Sequence, residues 1–300
     1  MLKRWLAVII LLLLLPWAGL AAESVVFHGP SPGQAPYSPA QQVDISPPLG
    51  DNLLQVDFIN ITIGDCILLR CGGQTMLIDG GTSNRFDTVL NFLCAHDIQH
   101  LDYLLNTHAH DDHIEVQHRL VQSGFSIGEF LSLHAPDDQD PAIQKIRLML
   151  AGRGIPYRQV FPGDEMQLGD AQLYFLGDDI TQHASLNSRS LMTRVQFGDR
   201  SILLTADVTG KSQSVIADAF PGLLNVDIMQ IPHHGYNLFH KNRLLNDASP
   251  EMVVITNRRR TVQRIEAVLQ RRRMPRYYLP NGHIRLQTDG QIWHAWQQAD

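Results

Sequence analysis

Three histidines and an aspartate fall within six residues, at His108, His110, Asp112 and His113. They directly follow the apolar run Leu101–Asn106, so the sequence places them at the end of a buried strand. Imidazole nitrogen and carboxylate oxygen are the donors that a borderline divalent ion such as zinc accepts. In an extended loop, side chains two positions apart point the same way, so His108 and His110 can share one ion. Asp112 and His113, at the turn into a helix, can face a second ion a few ångströms away. A two-ion site needs a bridging ligand and donors from distant strands. Two later segments offer them. The apolar run Ser201–Thr205 leads into Asp207, a carboxylate placed to bridge two ions, and Val226–Ile231 leads into Pro232, His233, His234 and Gly235.

The elements that must position these groups alternate in character. Short β-rich runs at Leu53–Ile59, Cys66–Arg70 and Thr75–Ile78 are separated by glycine-containing turns. Phe86–Asp97 has helical spacing of Phe86, Val89, Leu90, Leu93 and Cys94. A helix is expected over His113–Ser123, with Asp111 or Asp112 as its N-cap, and another over Pro141–Gly152, ended by Gly152. Strands are expected at Tyr157–Phe161, Gln172–Leu176, Leu191–Phe197 and Ser201–Thr205, the last two joined by a hairpin at Gly198–Asp199. Helices at Gly210–Phe220 and Thr261–Arg272 alternate with strands at Val226–Ile231 and Met252–Ile255. A closing hairpin pairs Ile284–Gln287 with Gln291–Trp296 across Asp289–Gly290. Two β-rich halves, each with its own helices, predict an α/β sandwich of sheet on sheet.

The N-terminus carries Lys3 and Arg4, ten apolar residues from Leu6 to Leu15, Pro16, and then small residues up to Ala22. This is the order of a secretory signal peptide, too short to span a bilayer, and cleavage is expected after Ala21 or Ala22. The protein is therefore expected to be periplasmic or secreted, with no membrane association in its mature form. Losing Lys3 and Arg4 takes the net charge from −6 to −8, which argues against a protein that coats DNA generally. Residues 23–50 hold six prolines and read as an extended leader, with the folded domain spanning 51–300. About 280 residues remain, enough for one large domain with a well-buried core. Cys66, Cys71 and Cys94 form no CxxC pair, so a zinc ribbon is not indicated. One disulfide among them is open, as is burial of all three as small apolar side chains.

Taken together, these stretches resemble the metallo-β-lactamase superfamily, and most of all the soluble domain of ComEC-like DNA-uptake competence proteins. The resemblance runs from about Asn52 to Trp296. It is carried by Ile63–Leu68, Leu77–Gly81, Thr107–His113, Asn187–Leu191, Leu203–Asp207 and Ile231–Gly235, with Gly282–Gly290 fitting the closing hairpin. It implies an αββα sandwich, two mixed β-sheets flanked by helices. It further implies that His108 and His110 bind one metal, that Asp112 and His113 bind the other, and that Asp207 bridges. His234 is favoured as the last ligand and His233 as a group facing the substrate, although the two are interchangeable on sequence grounds. Asp79 is expected to hydrogen-bond the ligand loop.

Some positions depart from the superfamily pattern. Many members supply a third histidine to the first metal. Here His183 is near, but Asn187 and Ser190 stand at the positions usual for this branch. That opens manganese as an alternative to zinc. Glu115 replaces a customary glycine after His113 and is expected to alter the pocket floor.

The implied chemistry is hydrolysis by a hydroxide generated between two divalent ions, with Asp112 and His233 as the catalytic side chains. The expected bond is a phosphodiester, as in a nuclease or phosphodiesterase. The alternatives are an ester, thioester or lactam hydrolase of the same fold, or a degenerate protein that binds nucleic acid or a partner. Eight arginines between Arg258 and Arg276, in an otherwise acidic chain, form a basic stripe suited to a phosphate backbone. A solvated helix face is the competing reading of that stripe.

Overall fold

A computed structural model describes the backbone of residues 23–27 and all of residues 52–178, 185–236 and 242–298. In chain order the strands and helices are β1 (Glu23–Phe27), β2 (Leu54–Phe58), β3 (Cys66–Cys71), β4 (Gln74–Asp79), α1 (Phe86–Ala95), β5 (His100–Asn106), α2 (Asp111–Ser123), β6 (Ser126–Ser132) and α3 (Pro141–Arg153). There follow β7 (Tyr157–Gln159), β8 (Glu165–Leu168), β9 (Ala171–Leu176), β10 (Met192–Phe197), β11 (Arg200–Leu204), α4 (Gly210–Ala219), β12 (Ile228–Gln230) and α5 (Arg243–Ala248). The chain closes with β13 (Met252–Ile255), α6 (Gln263–Arg271), β14 (Arg276–Tyr278), β15 (His283–Thr288) and β16 (Trp293–Gln298).

Two mixed sheets result. One runs β1-β16-β15-β2-β3-β4-β5-β6-β7 and the other β14-β13-β12-β11-β10-β9-β8. Between them lies a core built from alternating inward residues, including Leu54, Val56, Phe58, Ile67 and Leu69 of the first sheet. The second sheet contributes Leu173, Phe175, Val195, Ile202 and Val254 to the same core. The opposite face of the first sheet is sealed by α1, α2 and α3, with Leu68, Leu77 and Leu104 packed against Val89, Ile114, Leu120 and Ile143. In the second sheet, Leu203, Met229 and Val253 pack against Ile216, Leu244, Ile265 and Leu269 of α4, α5 and α6. Strands such as β3 are thus buried on both faces, which is why they read as continuous apolar runs. The expected sandwich of two mixed sheets flanked by helices is what forms.

Several local expectations are corrected. The N-cap of α2 is His110, with extended backbone (φ −70°, ψ 149°), and Asp111 and Asp112 lie inside the first turn. Acidic groups there complement the positive end of the helix dipole. Gly152 stays within α3, and the helix ends at Gly154, which adopts the left-handed conformation (φ 66°). β6 and β8 were not anticipated. Glu23–Phe27, inside the stretch expected to be an extended leader, pairs antiparallel with β16 as an edge strand. Cys66 and Cys71 are buried but Cys94 is exposed, and all three are free thiols. The signal peptide expected at residues 1–22 and most of the proline-rich leader lie outside the described residues.

Candidate metal centre

The candidate groups gather at the C-terminal ends of parallel strands from both sheets: Asp79 ends β4, His108 follows β5, Asp207 follows β11, and His233 and His234 follow β12. Crevices outside the carboxyl ends of such strands are where α/β folds place ligands. The first sheet contributes a loop tied down by its own strand ends. Asp79 accepts hydrogen bonds from the Thr107 amide at 2.9 Å and the Thr107 hydroxyl at 2.6 Å. Asn106 donates from Nδ2 to the His108 carbonyl at 2.7 Å. The loop thereby carries His108 inward and leaves His110 at the start of α2, with His108 Nε2 and His110 Nδ1 only 3.1 Å apart. One turn of helix then sets Asp112 and His113 on the same side. Gly64 lets this turn approach: its φ is +107°, and an added Cβ would sit 2.7 Å from the Asp112 carbonyl oxygen.

The second sheet brings the remaining groups across. Gln230 holds the turn after β11, accepting from the Thr205 amide at 3.1 Å while Thr205 donates its hydroxyl to the Gln230 carbonyl at 2.9 Å. Asp207 then lies 3.8 Å from His108 Nε2, 3.5 Å from His113 Nε2 and 3.2 Å from His234 Nε2, using Oδ2, Oδ2 and Oδ1 respectively. A carboxylate facing groups on both sides in this way has the placement a bridge requires. Asp112 Oδ2 is 3.7 Å from His234 Nε2, and Asp112 Oδ1 is 3.9 Å from His113 Nε2.

The paired histidines separate by environment. His234 is buried, with Nδ1 2.8 Å from Thr256 Oγ1 and Nε2 aimed at the acids. His233 is partly exposed, with Nε2 3.1 Å from Asn187 Nδ2 and 3.7 Å from Asp207 Oδ2. Both have left-handed backbone (φ 50° and 52°), as do Asp79 (φ 54°) and Ala206 (φ 45°). Such conformations cost about 1–3 kcal/mol each for non-glycine residues and cluster at functional sites.

Two further residues belong to this assembly. Asp65, just before β3, is buried, accepts from Gln230 Nε2 at 2.6 Å and lies 3.4 Å from His234 Nδ1. In the sequence Asp65 lies within the family-like stretch Ile63–Leu68, and its signal is an acid immediately ahead of the apolar run Cys66–Leu69. Thr256 was missed as well. Glu115 does not form the pocket floor: two residues beyond His113 on α2, it turns away to accept from the Ser83 amide at 2.7 Å. Ser190 is buried beside Leu191, whose amide bonds the Thr107 carbonyl, and His183 lies outside the described residues.

Whether these residues suit a cation can be judged from their unsatisfied atoms. His113 Nε2, His234 Nε2, Asp207 Oδ1 and Asp65 Oδ1 are all buried without a hydrogen-bond partner. Buried polar atoms are rarely left so, and several converging on one space fit a divalent ion. Among the described residues, four overlapping groups satisfy ligand spacing around Asp207 and His113: His108, His113 and Asp207; Asp112, His113 and His234; Asp65, Asp207 and His234; and Asp65, Asp79 and His113; His110 is in none of them. The electrostatics agree. Burial alone would lower the His113 and His234 imidazoles, but Asp207 with Asp79, and Asp207 with Asp65, override it. His113 is held well above its ordinary value and His234 is pushed up to about 10. Burial would raise Asp207, yet His234 and His113 hold it well below the usual carboxylate range. The pocket is a concentration of negative charge that draws positive charge in. His108, by contrast, is driven well down by burial and by His113, so it presents a neutral ring.

Residues 59–255 match the Metallo-beta-lactamase superfamily. The chain belongs to that superfamily. Membership goes with binding of divalent metal. Among curated proteins, the ComE operon protein 3 of Bacillus subtilis is 25% identical over 225 residues, covering 67% of this chain and 28% of that protein. Competence protein ComA of Neisseria gonorrhoeae is 22% identical, covering 65% of this chain and 26% of its own. These are ComEC-type competence proteins, and the chain spans about a quarter of their length. Among solved structures, the metallo-beta-lactamase fold protein YhfI from Bacillus subtilis superposes with a TM-score of 0.53 at 13% identity, over 75% of this chain and 95% of that one. CmlA, a diiron beta-hydroxylase from Streptomyces venezuelae, gives 0.51 at 16% identity, over 81% and 55%. At these identities the superpositions establish the fold alone.

Proposed function

We propose that this superfamily member is a hydrolase with two divalent ions that cleaves phosphodiesters, with zinc the first choice of metal and manganese the second. The observation that carries the reading is the convergence on one space of buried His113 Nε2, His234 Nε2 and Asp207 Oδ1, none of which makes a hydrogen bond. His108, His110 and Asp207 would hold one ion; Asp112, His113, His234 and Asp207 would hold the other. Such a pair, when bound, supplies a nucleophilic water at neutral pH and neutralises charge developing on the substrate. The chain's own residues do the rest. Asp112, partly exposed at the mouth of the site, orients the attacking water. His233, oriented by Asn187 and kept below its ordinary pKa by burial, holds or passes a proton at Nε2 toward the leaving oxygen. The Asp79–Thr107–Asn106 bonds keep the ligand loop from relaxing.

The phosphodiester is favoured over a carboxyl ester by the likeness to competence proteins and by the arginines from Arg258 to Arg276, which suit a nucleic acid partner. A periplasmic or secreted location is part of the same proposal. It rests on Lys3, Arg4 and the apolar Leu6–Leu15 run; among the described residues no helix is long and apolar enough to cross a membrane.

The test combines metal analysis with turnover of bis(p-nitrophenyl) phosphate and of a carboxyl ester. Two bound ions and diester cleavage lost in Asp112→Ala support the proposal. Ester cleavage alone, or a chain that binds no divalent ion, overturns it.

A further inference from the structure

The eight arginines between Arg258 and Arg276 do not form one uniform stripe. Arg276 grips the Glu266 carboxylate with two bonds, at 3.0 and 2.7 Å, and Arg259 reaches the same carboxylate at 2.9 Å. Arg272 bonds Asn246 Oδ1 at 2.5 Å. Glu266 is the one acid of α6, and these contacts use it. Arg258, Arg260 and Arg264 stay exposed around the start of that helix, where residues 256–265 contain no acid. Cations at a helix N-terminus oppose the macrodipole, and Val262 supplies no side-chain cap. The one acid of the first turn, Glu266, is already taken by Arg259 and Arg276, so the exposed arginines gather positive charge at this helix start.

That place adjoins the metal centre. The arginine-bearing loop begins at Thr256, whose hydroxyl bonds His234. Gly235 packs on the start of α6 so closely that an added Cβ would meet Val262 Cγ1 at 3.0 Å. Between them lies a cleft of about 430 Å³ lined by Tyr236, Arg260, Thr261 and Arg264. The Tyr236 ring is 44% exposed, large for an aromatic, and meets the His233 ring edge-on at 5.7 Å. His233 in turn reaches Asp207 at 3.7 Å, so the cleft opens one side chain from the centre. The other rim of the site, by contrast, is lined by Asp111, Asp112 and Asp140.

We propose that the Tyr236–Arg260–Arg264 cleft is the subsite for the nucleic-acid backbone phosphate next to the scissile one. Arg260 and Arg264 contact that phosphate, and the Tyr236 ring supports the intervening nucleoside by stacking. This assignment rests on the phosphodiesterase reading for its location but is testable without turnover. The probe is a fluorescein-labelled single-stranded oligonucleotide with hydrolysis-resistant phosphorothioate linkages, added to the metal-loaded full chain and followed by anisotropy across a salt series. Arg260→Ala with Arg264→Ala should weaken binding about tenfold and reduce the salt slope by about 1.4. Tyr236→Ala should weaken it at every salt concentration without changing the slope. The lysine versions of the two arginines should recover most of the slope. Arg271→Ala with Arg273→Ala, at the far end of α6, should stay within about twofold of the parent. Equal weakening by the two arginine pairs would mean diffuse attraction and overturn the subsite, as would unchanged binding in the first pair. Failure of the parent chain to hydrolyse bis(p-nitrophenyl) phosphate would count against the hydrolase reading alone.

Discussion

His113 donates from Nδ1 to Asp79 Oδ2 at 2.7 Å while its Nε2 faces Asp207 across 3.5 Å, so one carboxylate aims the ring at the other. The same Asp79 holds Thr107 by backbone and hydroxyl, which makes it the support for both halves of the histidine-rich segment. Partners that orient a metal-binding imidazole in this way contribute about 10–100-fold to affinity. Asp79→Ala is expected to lower divalent-ion affinity by that factor, measured by competition with a chromophoric chelator. Because it also orphans the Thr107 amide, the melting temperature of the metal-free protein should fall too. Undiminished affinity would remove Asp79 from the site.

The two adjacent histidines should fail in different ways. His234→Ala removes a buried ring that faces Asp207 and Asp112, and is expected to cost one bound ion per chain by elemental analysis. His233→Ala should retain both ions and lose turnover by about 10²–10⁴, the usual scale for a proton-transferring group. A metal deficit in His233→Ala would exchange the two roles.

Gly64→Ala tests the closeness of the α2 entry. The new methyl would sit 2.7 Å from a backbone oxygen, at a φ of +107° that alanine rarely adopts. A destabilisation of about 2 kcal/mol is expected in urea unfolding. Since the displaced group is the Asp112 backbone, ion affinity should drop along with it.

Glu266 supplies a pH dependence that does not involve the candidate ligands. Burial would raise its pKa, but hydrogen bonds from Arg276 and Tyr278 win and bring it from 4.5 to about 2. A carboxylate lowered in the folded state stabilises it above the unfolded pKa, and the contribution fades as pH falls from about 4.5 toward about 2. Glu266→Gln should cost about 2 kcal/mol at neutral pH and show a flatter stability profile through that window, by urea midpoints at successive pH values. Parallel profiles for the two proteins would contradict the role.

The centre was legible where its donors are neighbours in sequence, as at His108, His110, Asp112 and His113, because the strand-to-helix turn is local geometry. Asp207 and His234 could be joined to them because each closes an apolar strand. Asp65 and Thr256 could not be, since a lone acid after glycine and a lone threonine after a strand look like ordinary turn residues until Gln230 and His234 are seen to bind them. β6 escaped notice because Gly128 and Glu129 interrupt its apolar pattern, and its pairing with β5 is decided by tertiary packing. The arginine-rich region was legible as charge but not as a surface, because only folding brings the Arg259 and Arg276 guanidinium groups onto the Glu266 carboxylate.

The candidate donors are divided between the two layers of the sandwich: His108, His110, Asp112 and His113 hang from one, Asp207, His233 and His234 from the other. A cation held between them is therefore a rivet through both plates. Stripping it with a chelator is expected to loosen the seam at the mouth and to leave the interior wall of leucine and valine untouched, a local gape at that rim well short of global unfolding.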